Sequence, residues 1–331
     1  MSKGIGRLVS VSINREIQRG TAVGTPMFSI AYAELDIDEK DSRVLDEQAY
    51  GVIEGSTGES IVKQWSEATI KAPIGDQHFP LILYSLLGTL TTVTGTATGT
   101  PYYHTLVLQQ GAQHQSLTLQ LDDSLGGQDY VYPLGVVTDL EIAYERGQFI
   151  NYTTNLKAKK GTAQSVTGTP IAENRFLPQH LTFKYGTARA SLTSATAIPL
   201  KSAKITMNQN IEDDDVLGNI APVDFLNKHF TIEGEVEAIW QNESDFKTDS
   251  LTGTARAVRF ELTNNSTVIG TATGTVSPAL RIDLHKVTFE PITKPYRLND
   301  IVMQRLAFKA HYDTTTARMV TVDAVNSKSF Y

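Results

Sequence analysis

The chain has no cysteine, which excludes disulfide staples and cysteine-ligated zinc or redox sites. Tryptophan is almost as scarce, with only Trp65 and Trp240 present. Long apolar runs are also missing; Leu81 to Leu87 is among the longest and is far too short to cross a bilayer. The first residues carry no apolar run ending in a small-residue cleavage site, so no secretory signal is expected. There is no Gly-x-x-x-x-Gly-Lys loop and no dinucleotide fingerprint between strand and helix. The seven histidines (His78, His104, His114, His180, His229, His285 and His311) are scattered, and none takes the paired spacing of a zinc protease. A glycosidase would need convergent carboxylates and an aromatic-lined cleft, and the sequence reveals neither. No enzyme activity, cofactor or metal is expected.

A further absence concerns charge of one sign. The net charge is -7, and no Lys or Arg occurs between Lys71 and Arg146. That span holds Asp76, Asp122, Asp123, Asp129, Asp139, Glu141 and Glu145. One reading is a domain half buried in partners, with acids on its solvated rim. The other is a surface kept free of cations so that a polyanion passes without sticking, since Lys and Arg contacts to phosphate supply most nucleic-acid adhesion. The acidic groups Asp122-Asp123 and Asp213 to Asp215 lack the spacing of a calcium loop and read as solvated turns.

What is present points to strands. Gly-Thr-Ala-Thr-Gly-Thr occurs at Gly95 to Thr100 and again at Gly270 to Thr275, each time after a β-branched lead. In both places a strand and a short helix lie upstream and alternating strands follow, as if one supersecondary unit were used twice. The first 25 or so residues look like an extended arm, and Met27 to Leu35 reads as a strand. Asp36 to Ser60 reads as a long acidic loop, and loops of that length usually serve binding or assembly. Pro80 early and Gly88 late punctuate a short helix over His78 to Gly88. Strands are expected at His104–Gln109, Ser116–Leu121, Tyr130–Leu134, Val136–Glu145 and Phe149–Ala158; alternation in Ser116–Leu121 predicts one buried face.

Gly161 to Glu173 marks a boundary, after which the plan restarts. Lys201–Asn208 reads as a strand, Asn210–Asn227 as a second acidic loop, and Phe230–Trp240 as a strictly alternating strand. A short helix is expected over Glu243–Thr252, with strands at Ala257–Thr263, Ala279–Lys286, Val287–Pro291 and Ile301–Tyr312. Trp65 and Trp240 occupy matching strand positions before the two helices. The fold class is mainly β, two tandem sandwich or barrel units (1–165 and 166–331), each with a short flanking α-helix.

Several runs carry a resemblance. Glu54 to Trp65, Ala68 to Ile74, the helix Pro80 to Gly88 and His114 to Asp123 resemble the tail tube (major tail) proteins of long-tailed, siphovirus-type bacteriophages. In the second half, Leu200 to Asn210, Val216 to Gly218 and Ala307 to Tyr331 are similar to the same family. The resemblance implies a β-sandwich whose inner sheets join those of neighbours into a continuous tube. Rings would stack through long loops and through N- and C-terminal arms, around an acidic lumen. A chain with two units would close a ring as a trimer with pseudo-sixfold symmetry.

On this footing the ring-stacking candidates are Asp36, Asp38, Glu39, Asp41, Asp46 and Glu47 of the first loop and Glu212, Asp213, Asp214 and Asp215 of the second. The lumen candidates are Asp122, Asp123, Asp139, Glu141 and Glu145. Lys157 and Lys159 resist that scheme and are expected to face outward or to meet a neighbour's acids. The partners implied are other copies of the chain, the tape measure, tail tip and tail terminator proteins, and double-stranded DNA passing without specific binding. No membrane is implied; the location would be the virion tail, assembled in the host cytoplasm. The competing readings are a receptor- or carbohydrate-binding β-sandwich, a virion decoration protein and a related secretion-system tube.

Overall fold

The computed structural model describes residues 5–331 apart from 25–27, 97–98, 100, 124–126, 167, 169, 240–245, 272–274, 293–295, 297 and 299–300. Its chain order begins with β1 (Val9–Arg15), β2 (Phe28–Ile30), β3 (Glu34–Leu45), β4 (Glu59–Pro73) and α1 (Phe79–Leu87). Next come β5 (Gly88–Thr94), β6 (Tyr102–Leu108), β7 (Leu117–Asp123), β8 (Tyr130–Tyr144), β9 (Asn151–Ala158) and β10 (Thr162–Ala163). The second half supplies β11 (Leu181–Gly186), β12 (Leu200–Asn208), β13 (Glu212–Asp214), β14 (Asp224–Leu226) and β15 (Thr231–Ile239). It closes with α2 (Lys247–Thr252), β16 (Arg256–Thr263), β17 (Gly270–Thr271), β18 (Thr275–Val276), β19 (Ala279–Phe289), β20 (Met303–Ala310) and β21 (Val320–Asn326).

One broad antiparallel sheet runs β3-β4-β9-β8-β12-β15-β20 and takes strands from both halves. Two groups of strands form the layer behind it: β2-β1-β7 with the start of β8, and β5-β6-β21-β19-β16-β11. Alternation decides which face of the broad sheet is dry. Ala68, Ile70 and Ala72 of β4, Leu140 and Ile142 of β8, Ile205 and Met207 of β12 and Leu306 and Phe308 of β20 are all buried. They share one core with Leu119 of β7 and Phe260 of β16, and Phe260 stacks on Tyr144 at 5.5 Å. Each fully buried Leu, Ile or Phe contributes about 1.5–3 kcal/mol, so this seam dominates the stability. The expected halves are hydrogen-bonded to each other through β8–β12 and β6–β21.

Two strands change layer. β8 pairs with β7 as far as Gly135 and with β9 from Val136 onward. The turn falls at Leu134, whose φ is 57°. The buried carboxylate of Glu16 holds it, accepting the Leu134 N–H at 2.7 Å along with the Gly20 N–H and the Ser116 hydroxyl, each at 2.6 Å. β19 does the same in the second half, pairing with β21 up to Leu284 and with β20 from Val287, while β16 follows it through a bulge to Val287. What reads in the sequence as two strands is therefore one bent strand, once in each half.

Helix α1 is as expected. Nine residues are too few for a helix to persist alone, and burial of Phe79, Leu81, Ile82, Leu83, Leu86 and Leu87 holds it in place. Its α2 counterpart occupies the same place before β16, though the start of the expected second helix and Trp240 lie outside the described residues. The two Gly-Thr loops close corresponding turns, β5 to β6 and β16 to β19, parts of each again lying outside the described residues. They meet: a Cβ on Gly99 would fall 2.7 Å from the Ile269 carbonyl oxygen.

Several expected loops and arms are something else. The first segment is no free arm: Val9–Arg15 is a strand between β2 and β7, with Val11 and Ile13 fully buried. Residues 18–24 then fold across β7, where Thr118 Oγ1 accepts the Val23 N–H. Thr118 is therefore as buried as Leu117, and the single buried face expected for Ser116–Leu121 becomes two. The last residues are no arm either, because β21 lies between β6 and β19 and Tyr331 is buried beside His104. The strand expected over Met27–Leu35 is broken at Ala31–Ala33.

Candidate assembly surfaces

The acidic segment 36–60 is mostly strand. β3 and β4 form a hairpin, and only 46–58 is irregular. β9 covers β4 from Ser66 to Pro73, so the rest of the hairpin projects past the broad sheet as an arm. Val44, Leu45, Tyr50, Val52, Ile53, Ile61 and Val62 are exposed there, Ile53 at 101%. Residues 44–58 carry Asp46, Glu47 and Glu54 and no cation. Near the base, Arg43 grips Asp41 at 2.8 Å and also bonds Glu59.

The second acidic segment is folded too. β13 and β14 pair as a small hairpin within 210–227, and it is tied down onto the base of the arm. Lys63 reaches Asp213 at 2.8 Å and Asp215 at 2.6 Å, and Lys157 reaches Asp213 at 3.0 Å. The Gln64 N–H donates to the Ile220 carbonyl at 2.9 Å, covering an edge of β4 that β9 leaves open. Arg19 adds a bidentate bond to Asp224 at 2.7 and 2.8 Å. Burial works to raise the pKa of Asp213, and the bonds and charges of Lys63 and Lys157 outweigh it, holding that carboxyl below its ordinary range.

The ten stacking candidates thus divide. Asp36 and Asp38 sit on the solvent face of the broad sheet, and Glu39 lies opposite Ser66 on the other face. Asp41, Asp46 and Glu47 are on the arm. Asp213 and Asp215 are held by this chain's own lysines, and Glu212 bonds Lys228 at 3.0 Å. Asp214 closes the second hairpin through its backbone, its carbonyl taking the Val223 N–H at 2.9 Å. Lys157 therefore meets an acid of its own chain.

The solvent face of the broad sheet gathers charges from both halves. Asp139 and Glu141 of β8 lie on it, beside Glu34, Asp36, Asp38 and Glu67 and in line with Glu233, Glu235 and Glu237 of β15. Glu145 follows just past the end of β8, bonded by Gln148 at 2.6 Å. Asp122 and Asp123 do not join this face, because they end β7 in the other layer. There Asp122 takes the Gly168 N–H at 2.9 Å, and the Asp123 N–H bonds Asp129.

The face is not cation-free, which corrects the expectation from the Lys- and Arg-free span. Most of that span (β5, β6, β7 and α1) lies behind the broad sheet. Lys204 meets Glu141 at 2.8 Å, Arg305 meets Glu237 at 3.0 Å, Lys309 meets Glu233 at 3.1 Å, Lys40 meets Asp38 at 2.8 Å and Lys71 stands 3.8 Å from Glu34. Asp36, Glu67, Asp139 and Glu235 are the acids left over from this pairing; Glu67 accepts the Trp65 indole N–H and Asp139 bonds Asn155. The β15 acids are the residues that a search for a cation-poor stretch misses. Their signal was the strict alternation of 230–240, which put every glutamate on one side.

Both ends of the broad sheet are bare. Among the described residues β3 has no strand on the side away from β4, and Met303–Leu306 of β20 has none away from β15. Unpaired N–H and C=O groups along such an edge template pairing with another chain. At the end of the sheet opposite the arm a cleft of about 890 Å³ opens, lined by Tyr144, Phe149, Leu177, Leu200 and Ile239, with Arg146 and Lys201 among its walls.

Compared with known proteins, the family described as phage tail tube protein matches residues 11–310, nearly the whole chain. No curated protein matches.

Proposed function

The chain belongs to the phage tail tube protein family, and we propose that its copies join edge to edge into rings that stack as the tube of a phage tail. The observation that carries this reading is the broad sheet, with one face in the core, the other in solvent and an open edge at each end, all of β3 and Met303–Leu306 of β20 among the described residues. Pairing β3 of one copy with β20 of the next extends the sheet, and closing the circle removes the exposed edges of the broad sheet. The solvent face then becomes the wall of the lumen.

The internal duplication supports three chains per ring with pseudo-sixfold symmetry. Each half brings a hairpin at the same end of the sheet (β3–β4 and β12–β15), a short helix ending on glycine, a Gly-Thr turn and a layer-changing strand. The lumen wall holds its cations in ion pairs and leaves acids over, so a passing DNA backbone meets no unpaired row of ammonium or guanidinium groups. Adhesion of DNA depends on such rows, so the wall lets the polyanion slide. The tape measure, tail tip and tail terminator proteins would be the other partners, in a virion tail assembled in the host cytoplasm.

Negative-stain electron microscopy of the purified, concentrated protein tests the reading. Hollow tubes or rings with threefold averages are expected. Single particles that persist at every concentration and salt would overturn it.

A further inference from the structure

A ring of two-unit chains closes only if the halves of each chain stand at the same angle as neighbouring chains do. The halves meet through two strand pairings, β8–β12 in the broad sheet and β6–β21 in the layer behind it. Strand pairing alone leaves that angle loose, because the twist between adjacent strands ranges over about 10–35°. We infer that residues 172–176, in the connector between the halves, form a clasp that fixes the angle and so sets how many chains close a ring. The inference rests on the tube reading and adds to it the part of the chain that decides ring size.

On the first half the clasp grips the segment 74–78, which joins β4 to α1. Gly75 and Arg175 form an antiparallel bridge there. The Asp76 carboxylate takes the Asn174 N–H at 2.9 Å and the Asn174 side-chain amide at 2.8 Å, and the Asp76 N–H donates to the Asn174 carbonyl at 3.1 Å. In return Glu173 Oε1 accepts the His78 N–H at 2.6 Å, and Glu173 Oε2 lies 2.5 Å from His78 Nδ1. The Gln77 side-chain amide donates to the Ala172 carbonyl at 3.2 Å, and His78 Nε2 sits 3.0 Å from the Tyr152 hydroxyl of β9. Asp76 and His78 are buried, where an unmade hydrogen bond is costly, so the grip is held firmly. The fit is close: a Cβ on Gly75 would fall 2.2 Å from Glu173 Oε2 and 2.8 Å from His78 Cε1.

Two elements of the second half grip the same place. The Arg175 carbonyl accepts the Asn264 side-chain amide at 3.1 Å, and Asn264 directly follows β16. The Asp76 carbonyl accepts the Asn326 side-chain amide at 2.7 Å, and Asn326 ends β21. Ala279 of β19 stands opposite both Thr263 and Val325, so the two asparagines lie at one end of their layer. Phe176 then enters the core, its carbonyl taking the Ile150 N–H at 3.1 Å just before β9. The clasp thus ties β4, β9 and α1 of the first half to β16 and β21 of the second. β16 and β21 belong to the layer behind the β8–β12 joint, and a tie set behind a joint resists its bending.

The clasp also gives work to acids of the Lys- and Arg-free span that do not reach the solvent face of the broad sheet. Asp76 holds Asn174, while upstream in the connector Asp129 accepts the Val166 N–H at 3.0 Å and Asp122 the Gly168 N–H at 2.9 Å. A lysine or arginine within reach would compete for those carboxylates.

Asn174→Ala and Glu173→Ala loosen the clasp, and neither residue belongs to the four strands that join the halves. In the dissociated subunit, hydrogen exchange at the Asp76 and His78 amides is expected to rise about tenfold, the effect of a lost hydrogen bond. Electron-microscopic class averages of assembled protein supply the second reading. The unaltered chain is expected to give threefold rings of one diameter, and the variants rings of mixed diameter and chain number. Faster exchange with ring size unchanged would overturn the inference, and so would unchanged exchange; both leave the tube reading intact. Should the alanine variants not fold, Glu173→Gln keeps the size of the side chain and carries the same two readings, and either one unchanged in it would overturn the clasp. Failure of the unaltered protein to form rings at all would instead remove the tube reading, and the inference with it.

Discussion

Both helices end on glycine in the left-handed region, Gly88 at φ 87° and Gly253 at φ 65°. An alanine at either position meets the same backbone penalty, about 1–2 kcal/mol. Their surroundings differ. A Cβ on Gly88 would lie 2.6 Å from Gln109 Cβ and 2.7 Å from His114 Cδ2, whereas nothing lies within 4 Å of one on Gly253. Neither neighbour of Gly88 can swing aside. The Gln109 N–H donates to the Leu87 carbonyl at 2.7 Å, and the buried His114 ring places Nδ1 2.8 Å from the Leu86 carbonyl. Overpacking against fixed groups adds about 1–3 kcal/mol. Gly253→Ala is therefore expected to destabilise by about 1–2 kcal/mol and Gly88→Ala by about 2–5 kcal/mol. Urea unfolding of the dissociated subunit, followed by far-ultraviolet circular dichroism, measures both on one scale. Equal losses would refute the reasoning, because only the crowding around Gly88 separates the two sites.

Acid sensitivity and one ion-pair cluster give two further expectations. Burial lowers the pKa of His104, His114 and His285 from 6.5, so the folded chain binds protons less readily than the unfolded chain. Their stabilisation is complete above pH 6.5 and is lost as the pH falls from there through the depressed values, so the melting temperature should decline across that window. A melting temperature unchanged down to pH 5 would rule out neutral, buried imidazoles. Asp213→Asn removes a carboxylate that two lysines share, and its contribution, present above the ordinary 3.8, is lost as the pH falls through the lower folded value. The variant should free the second hairpin from the arm, raising hydrogen exchange at the Gln64 amide about tenfold at neutral pH. Unchanged exchange would mean that the lysines do not hold it.

Much of the fold was readable because burial leaves a period in the sequence. Pro80 and Gly88 fixed α1, and alternation revealed β7 and β15. The failures have physical causes. In β3 the period survives only as Leu35 and Ile37 between Asp36 and Asp38; from Asp41 onward every residue of the strand is exposed, and no hydrophobic pattern exists to detect. What makes it a strand is the partner Glu59–Lys63, which local sequence cannot show. β1 does alternate Val9, Val11 and Ile13 with Ser10, Ser12 and Asn14, but its burial depends on β2 and β7 closing over it. The bends of β8 and β19 were misread as ends. At Leu134 a non-glycine residue is held at positive φ by a carboxylate more than a hundred residues away in the chain.

The charged wall was half legible for a different reason. Counting cations along the chain found β8, where Asp139 and Glu141 lie, but a sheet takes its face from strands far apart in sequence. β15 supplies three glutamates, while β12 and β20 bring Lys204, Arg305 and Lys309 directly across from acids. An exposed pair of this kind adds little stability, about 0–1 kcal/mol, so stability alone does not account for the arrangement. Its consequence is electrostatic: each cation is committed to a neighbouring carboxylate, and Asp36, Glu67, Asp139 and Glu235 set the sign of what remains. In the tube proposed above, a polyanion would meet a wall whose cations are engaged and whose surplus repels it. Deleting the cations would repel it too, but would leave rows of glutamate on β15 facing one another with nothing between, a worse cost to the sheet than the pairs impose. A weakly acidic, ion-paired wall satisfies both demands, and a search for stretches without lysine could not have found it.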